Sequence, residues 1–468
     1  MTGRVVQENN RRMMPLLMIV LCFGLLASEI SCSRISKNPP QGAPPLWHRA
    51  KVSGELPRSP ETVKIIPVTV DVKRLESTDN TNFSLLLPDG RSITVVKVRQ
   101  ELVGGDGFVW HGKVEKNPYS FVTFSVVDQT VMGSFIGPRG EIYRLRHGKG
   151  SDHYVEKVDV TRRLLPMDRP VIGPAVNPKT NTSGQTCNTD VPDADGLWPI
   201  DVMVAYTQDA LTGAGGNTNM LDTIDLAIGE ANESYRQSGI KQKLNLVCPL
   251  TEVPSTVYTE KDYPDYDLDD MSNGRIKDNQ GNTLETLREN YGADVVVLIV
   301  EKTLGAAGMS NEYNSFLPNS SLPPYSVVVR QYATGLDGGF SFTHELGHVM
   351  GANHDYGDED PGNQYPFDTG YNHGLVRDKP ISSSAKNISD WYPWLTVMAT
   401  YNDCSSCVRV PIWSSSDSTI TWEGDATGDA RHDNARMLNE TASKVANFKC
   451  HKPPPPTCPS PPTNLDVK

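Results

Sequence analysis

Hydrophobic and polar positions alternate along the first half of this chain and cease to do so in the second. Between residue 61 and about residue 160, short runs of strand length dominate: 62–72, 82–87, 92–98, 107–114, 119–127, 130–136 and 141–145. Successive side chains of a strand point to opposite faces, so alternation over such lengths predicts strands half-buried against a core. Pro88-Asp89-Gly90, Gly104-Gly105, Asn117-Pro118 and Pro138-Arg139-Gly140 supply turns between them. The stretch therefore predicts an antiparallel β unit, and it holds no catalytic constellation. His111, His147 and His153 lie in it without any metal-ligand spacing and read as surface histidines.

From residue 197 the pattern changes. Residues 198–206 form a continuous apolar run, the mark of a central strand. Residues 219–237 place Met220, Leu221, Ile224, Leu226, Ala227 and Ala231 at helical spacing, which predicts a helix lying on a sheet. Residues 243–253 read as the next strand, 283–291 as a short helix and 293–301 as a buried strand. Strands alternating with helices imply a mainly parallel sheet. An amphipathic helix at 433–448 closes this part. The acid-rich stretch 262–270 could bind Ca²⁺, because carboxylates at short spacing suit that ion, but it lacks an EF-hand pattern and reads as a solvated loop.

The flanks are different in kind. Arg11 and Arg12 precede an apolar run at 13–27 that is shorter than the roughly 20 residues needed to cross a bilayer. With the small residues just beyond, residues 1–33 read as a secretory signal, the alternatives being an uncleaved anchor or a lipid-modified Cys32. Residues 34–57, rich in proline and polar side chains, read as a flexible lead-in. Residues 161–196 read as a linker with a dibasic pair at Arg162-Arg163, and 451–468 as a proline-rich tail. The expected organisation is a signal at 1–33, a segment at 34–196 with its β-rich body at 61–160, and a second unit at 197–450, which the resemblance named below makes a propeptide and a catalytic unit.

The 468 residues exceed one ordinary domain, and 37% hydrophobic against 21% charged content is enough for sizeable cores. A formal net charge of −12 argues against nucleic acid and anionic membrane as partners. Secretion makes the cysteines readable as disulfides. Cys248, Cys404, Cys407 and Cys450 fall in the catalytic unit and allow two bridges in three pairings, while Cys187 and Cys458 remain over. Asn82, Asn181, Asn232, Asn319, Asn387 and Asn439 head glycosylation sequons.

The chemistry concentrates in twelve residues, His344 to Asp355. In a helix, His344 and His348 project from one face one turn apart and can grip one Zn²⁺. Glu345 can stand over the open side of the metal as a base for its water. Gly351 can adopt the left-handed conformation that ends a helix, which would swing His354 round as the third ligand. Cys187, in Thr186-Cys187-Asn188, offers a thiolate as a fourth ligand, or else a disulfide partner for Cys458 or another cysteine.

His344-Glu345-x-x-His348-x-x-Gly351-x-x-His354 resembles the metzincin signature, and the following Asp355 is similar to the adamalysin (reprolysin) branch. Thr396-Val397-Met398-Ala399-Thr400-Tyr401 resembles the methionine turn of those proteases, with Met398 beneath the metal. Trp110, Gly133 and Gly140-Glu141-Ile142-Tyr143 resemble a reprolysin-like prodomain. The resemblance implies an α/β (α+β) catalytic domain with a mostly parallel twisted sheet, an antiparallel edge strand at 305–310, a last sheet strand at 325–332 and a long zinc-binding helix. It implies a secreted zinc endopeptidase made as a latent precursor, with protein or peptide substrates bound extended along the edge strand. It also implies that Asp355 fixes the loop after the third ligand and that Cys187 serves as a latency switch. Tyr401 stands three residues after Met398 rather than two, so the transition-state role of that tyrosine in astacin-like relatives does not transfer. No proline follows Met398 until Pro411, so the primed-side pocket is not read from the resemblance. The other classes in play are a zinc-containing adhesion or binding protein with weak catalysis, and a metallohydrolase acting on esters.

Overall fold

The computed structural model describes residues 42–51, 56, 58–77, 81–103, 107–148, 153–162, 191–247, 250–312, 323–335, 339–355, 368–380, 391–402 and 404–452. The signal at 1–33, Arg163, Cys187, Cys248, Cys458, the tail from 453 and the sequons at Asn181, Asn319 and Asn387 lie outside the described residues. The chain from Gly42 forms one compact unit.

Its first half is a single antiparallel sheet of nine strands among the described residues. In chain order these are β1 (Trp47–Arg49), β2 (Thr62–Val70), β3 (Asn82–Leu86), β4 (Ser92–Val103), β5 (Gly107–Val114), β6 (Val122–Val127), β7 (Thr130–Ile136), β8 (Ile142–His147) and β9 (His153–Val158), with a short helix α1 (Val72–Glu76). Spatially they run β1-β2-β9-β8-β7-β6-β5-β4-β3, so β3 to β9 form an unbroken meander. The seven alternating runs all become strands of this sheet. β1 corrects the sequence expectation of a flexible lead-in: Trp47 is buried there, and its indole nitrogen donates to Leu86 O at 2.8 Å. β9 was missed because Glu156 interrupts its apolar pattern, yet Glu156 is buried and paired with Arg144 at 3.1 Å.

His111 and His153 are likewise not surface residues. Both are buried, His111 with Nε2 2.9 Å from Glu101 Oε1 and His153 accepting from Val131 N at 3.0 Å. Periodicity reports which face a residue is on, not whether a second layer covers that face.

The second half begins with β10 (Trp198–Thr207), then α2 (Gln208–Ala214), α3 (Asn217–Gln237), β11 (Gln242–Leu246) and β12 (Thr251–Val253). Next come α4 (Pro264–Ser272), α5 (Leu284–Tyr291), β13 (Val295–Val300), β14 (Gly308–Ser310) and β15 (Tyr325–Val329). The sheet order is β11-β10-β13-β15-β14, with β12 also beside β10. All pairings are parallel except β14 with β15, so the expected antiparallel edge strand is present. β13 reads VVVLIV and is buried at all six positions, as a strand covered on both faces should be. The predicted strand at 243–253 divides into β11 and β12.

The acid-rich stretch is helix α4, not a solvated loop. Pro264 starts it, and Asp267 is buried with its Oδ1 accepting from Tyr258 and from Lys261 N. Asp269 and Asp270 pair with Arg275. These acids are engaged by protein donors.

α3 lies between the two sheets. Its apolar residues Met220, Ile224, Ala227, Ala231 and Tyr235 join the core of the α/β half, together with Val109 from β5. Its acidic residues Asp222, Asp225, Glu230 and Glu233 are buried as well. Ser125 and Thr130 donate to Asp222 at 2.9 and 2.5 Å, Ser134 to Glu230 at 2.5 Å and Arg99 to Glu233 at 3.0 Å. Phe121 of the first half also meets Phe340 edge-on, with ring centroids 5.9 Å apart. The Asn232 sequon is internal to this packing, because its amide bonds both the N–H and the carbonyl of Leu244.

Candidate metal centre and active site

The motif forms α6 (Ser341–Val349), nine residues and so shorter than the long helix expected. Phe342, Leu346, Val349 and Met350 turn into the core, which leaves His344, Glu345 and His348 for the other side. Phe340, just before the helix, holds φ +56°, a strained conformation for a bulky residue of the kind that gathers at functional sites. The helix ends as expected at Gly351, φ +96°. Gly351 N bonds His348 O at 3.0 Å and Ala352 N bonds Gly347 O at 2.9 Å, the paired bonds of a Schellman stop. The reversal leads into β16 (Asn353–Asp355), which pairs with β17 (His373–Gly374).

This reversal brings the three histidines together. His354 Nε2 lies 3.0 Å from His344 Nε2 and 3.1 Å from His348 Nε2, and all three rings are buried. Three tetrahedral ligands at 2.0–2.1 Å from zinc would stand about 3.3 Å apart, so the triad is close to a zinc geometry. The outer nitrogens agree. His344 Nδ1–H donates to Val397 O at 2.8 Å and His348 Nδ1–H to Ala352 O at 3.0 Å. Carbonyls can only accept, so both rings turn a lone pair on Nε2 inward. Burial first, and then the positive charge of Arg409, holds His344 well below the usual imidazole range. Burial and then His354 do the same for His348. Neutral rings are the form that binds metal. Among the described residues this is the one cluster of three potential metal ligands.

Surrounding residues hold the triad. Met398 is buried with its sulfur so close to Gly347 that a Cβ there would meet it at 2.5 Å. Asp355 Oδ1 accepts from Thr400 N at 2.7 Å and Thr400 Oγ1 at 3.2 Å, so it ties the third ligand's strand to the methionine turn. His373 donates from Nδ1 to His354 O at 3.0 Å. Asn372 Nδ2 donates to Gly351 O at 2.8 Å.

Glu345 faces the edge strand. Ser310 Oγ donates to its Oε2 at 2.6 Å, and a Cβ at Gly308 would meet Glu345 Cγ and Oε1 at 2.6 Å. The carboxylate is therefore packed on β14, the strand along which an extended peptide could pair. The sequence showed neither Ser310 nor Arg409, since both reach the site from elements of unremarkable pattern. Cys404 and Cys407 are bridged to each other, and Cys450 is disulfide-bonded to a partner outside the described residues.

Three converging imidazoles, two of them on one helix with a carboxylate between them in sequence, are the side-chain set of a zinc metallohydrolase. Residues 199–407 match the family described as Metallo-peptidase family M12 (Reprolysin_5). The chain is 28% identical over 414 residues to a peptidyl-Asp metalloendopeptidase of Stenotrophomonas maltophilia, covering 85% of this chain and 89% of that one. It is 27% identical over 376 residues to a peptidyl-Asp metalloendopeptidase of Xanthomonas campestris pv. campestris, covering 77% and 80%. A distant likeness to metalloproteinase-II from Bacteroides fragilis has TM-score 0.35 and 10% identity over 59% of this chain and 82% of that one. Residues 199–407 are thus similar to an M12-family metallopeptidase domain, and the chain is a zinc metalloendopeptidase.

Proposed function

We propose that the protein is a secreted endopeptidase, made latent, that hydrolyses extended peptides with Glu345 as general base. The observation that carries this is the meeting of the His344 and His348 Nε2 atoms within 3.1 Å of His354 Nε2, with Glu345 next to His344 and packed on the edge strand. His344, His348 and His354 would hold Zn²⁺, which supplies Lewis acidity and lowers the pKa of bound water. Glu345 takes a proton from the attacking water and passes it to the leaving amine. Ser310 orients that carboxylate, and β14 pairs with the substrate backbone, which explains how many sequences could be accepted. Met398, Val397 and Asp355 keep the three rings in place.

Latency is supported by the burial of all three rings and by the packing of the nine-stranded sheet on α3 and Phe340. Cys187, outside the described residues, is the candidate latch. By likeness to the relatives, we extend the proposal to peptides containing aspartate as substrates.

The test is turnover of a casein-type substrate by the secreted protein. A chelator should abolish it, zinc should restore it, and Glu345→Gln should keep the metal while losing the activity. A protein that holds zinc yet cleaves no peptide is a binding protein, and the proposal fails.

A further inference from the structure

We propose that Tyr263, Tyr266 and Leu304 form an apolar subsite at the entry to the edge strand, which takes a large aliphatic or aromatic side chain of the substrate. The inference rests on the endopeptidase reading above and adds a preference three or more residues from the scissile bond. Leu304 is 71% exposed, more than any other large apolar side chain among the described residues. Tyr266 is 58% and Tyr263 43% exposed. Single apolar residues at a surface are ordinary, whereas a cluster marks a contact site. These three are clustered. Leu304 N donates to Asp262 O at 2.7 Å, and Tyr266 N donates to Tyr263 O at 3.1 Å. The two tyrosine rings meet edge-on with centroids 6.1 Å apart. A Cβ at Gly305 would meet the Tyr263 ring at 2.7 Å, so that ring lies on the chain right beside Leu304. The neighbouring cations Lys261 and Lys302 pair with Asp270 at 3.3 Å and Asp209 at 2.8 Å. The patch itself carries no charge, and it suits an apolar residue.

The position of the patch selects its occupant. Leu304 and Gly305 lead into β14, where Gly308 abuts Glu345. Four residues of chain span at most about 14 Å, so Leu304 is within reach of a peptide residue three to five positions from the cut bond. Thr303 Oγ1 accepts from Gly305 N at 3.1 Å and donates to Ala306 O at 2.7 Å, a local turn that fixes the chain around Leu304. The sheet carries α6 on one face and α4 on the other: Ser310 bonds Glu345, whereas Met309 packs with Leu268 and Met271 of α4. A peptide added at the outer edge of β14 sends alternate side chains to the two faces. Those on the α4 face run toward the tyrosines, which stand at the start of that helix. The blander role, covering Gly305, needs Tyr263 alone and gives Tyr266 and Leu304 nothing to do.

The experiment takes the zinc-loaded protein in the form that turns over casein and one peptide with alanine at the third to fifth positions on each side of the cut bond. Phenylalanine or leucine replaces each alanine in turn. At one of these positions kcat/KM should rise about 10-fold, mainly through a lower KM. Tyr266→Ser combined with Leu304→Ser should bring that ratio to within about 2-fold, and either change alone should lower it by less. Affinities of the Glu345→Gln protein for the same peptides should follow the same order without turnover. If no position favours a large apolar residue, the proposal is overturned and the endopeptidase reading stands. A ratio unchanged in the folded double variant also overturns it. So does a concentration-dependent dimer that the double variant abolishes while the ratio holds, since the patch then joins two copies of the chain. If neither casein nor any peptide is cleaved, both readings fail.

Discussion

Two buried helices carry acids in this molecule, and they stabilise those acids in opposite ways. On α6, the histidines flanking Glu345 are held by carbonyls, His348 by Ala352 O and His344 by Val397 O, while Glu345 itself is held by Ser310 of the same half of the chain. On α3, Asp222 and Glu230 are held by side chains about a hundred positions away in the first sheet, Asp222 by Ser125 and Thr130 and Glu230 by Ser134. The first arrangement belongs to one half of the chain. The second exists only while the two halves stay docked, so it is the place where their separation would be felt first.

The largest expected effect breaks the first helix's chemistry outright. His348→Ala should take zinc from about one per chain to near none by metal analysis and cleavage to background, with the first sheet still docked. Glu345→Gln should keep the zinc and lower kcat by about 10²–10⁴-fold; a normal rate would remove Glu345 as base.

The second helix is sharpened by pH. Burial, against the two hydroxyl bonds, pushes Asp222 up to about 7, with Asp128 adding to the rise, and burial and then Asp222 raise Asp225 well above its ordinary value. Glu233 is held well below the carboxylate range despite burial by Arg236, Arg99 and His111, so it stays charged and paired. Asp222 therefore binds a proton when docked that it would lose in water above the ordinary value of 3.8. Docking strength from this group is full below that value and fades as pH rises toward 7, by up to about 1.4 kcal/mol per pH unit. Limited proteolysis of the full chain should release the first sheet faster at pH 8 than at pH 5, and Asp222→Asn should flatten the difference. Equal release rates would contradict this account.

Two smaller changes separate the regions by stability alone. Gly351→Ala meets a φ of +96° and should cost about 1–2 kcal/mol, with weaker zinc retention because His354 follows it. Ser134→Ala removes a donor from buried Glu230 and should cost about 1–3 kcal/mol with no change in zinc content. Thermal melts with metal analysis check both.

The triad was legible because the motif encodes its own geometry: a four-residue spacing, a glycine stop and a short return. The β meander was legible for a similar reason, since its turns and alternation are local. What escaped were contacts between halves. α3 looked like a helix on one sheet because Asp222, Asp225, Glu230 and Glu233 made an apparently solvated face. α4 looked like a loop because its acids hid the partners Tyr258 and Arg275.

Spacing within one turn or one hairpin was enough to bring His344, His348, His354 and Glu345 forward as a set and to order most of the strands and helices. The packed fold was needed to show that Ser310 bonds Glu345, that Arg409 bonds the carbonyls of Gly339 and Ala399, and that a face of acids is buried between two sheets. Those outcomes depend on which distant donors arrive opposite a given side chain, and no local periodicity carries that information.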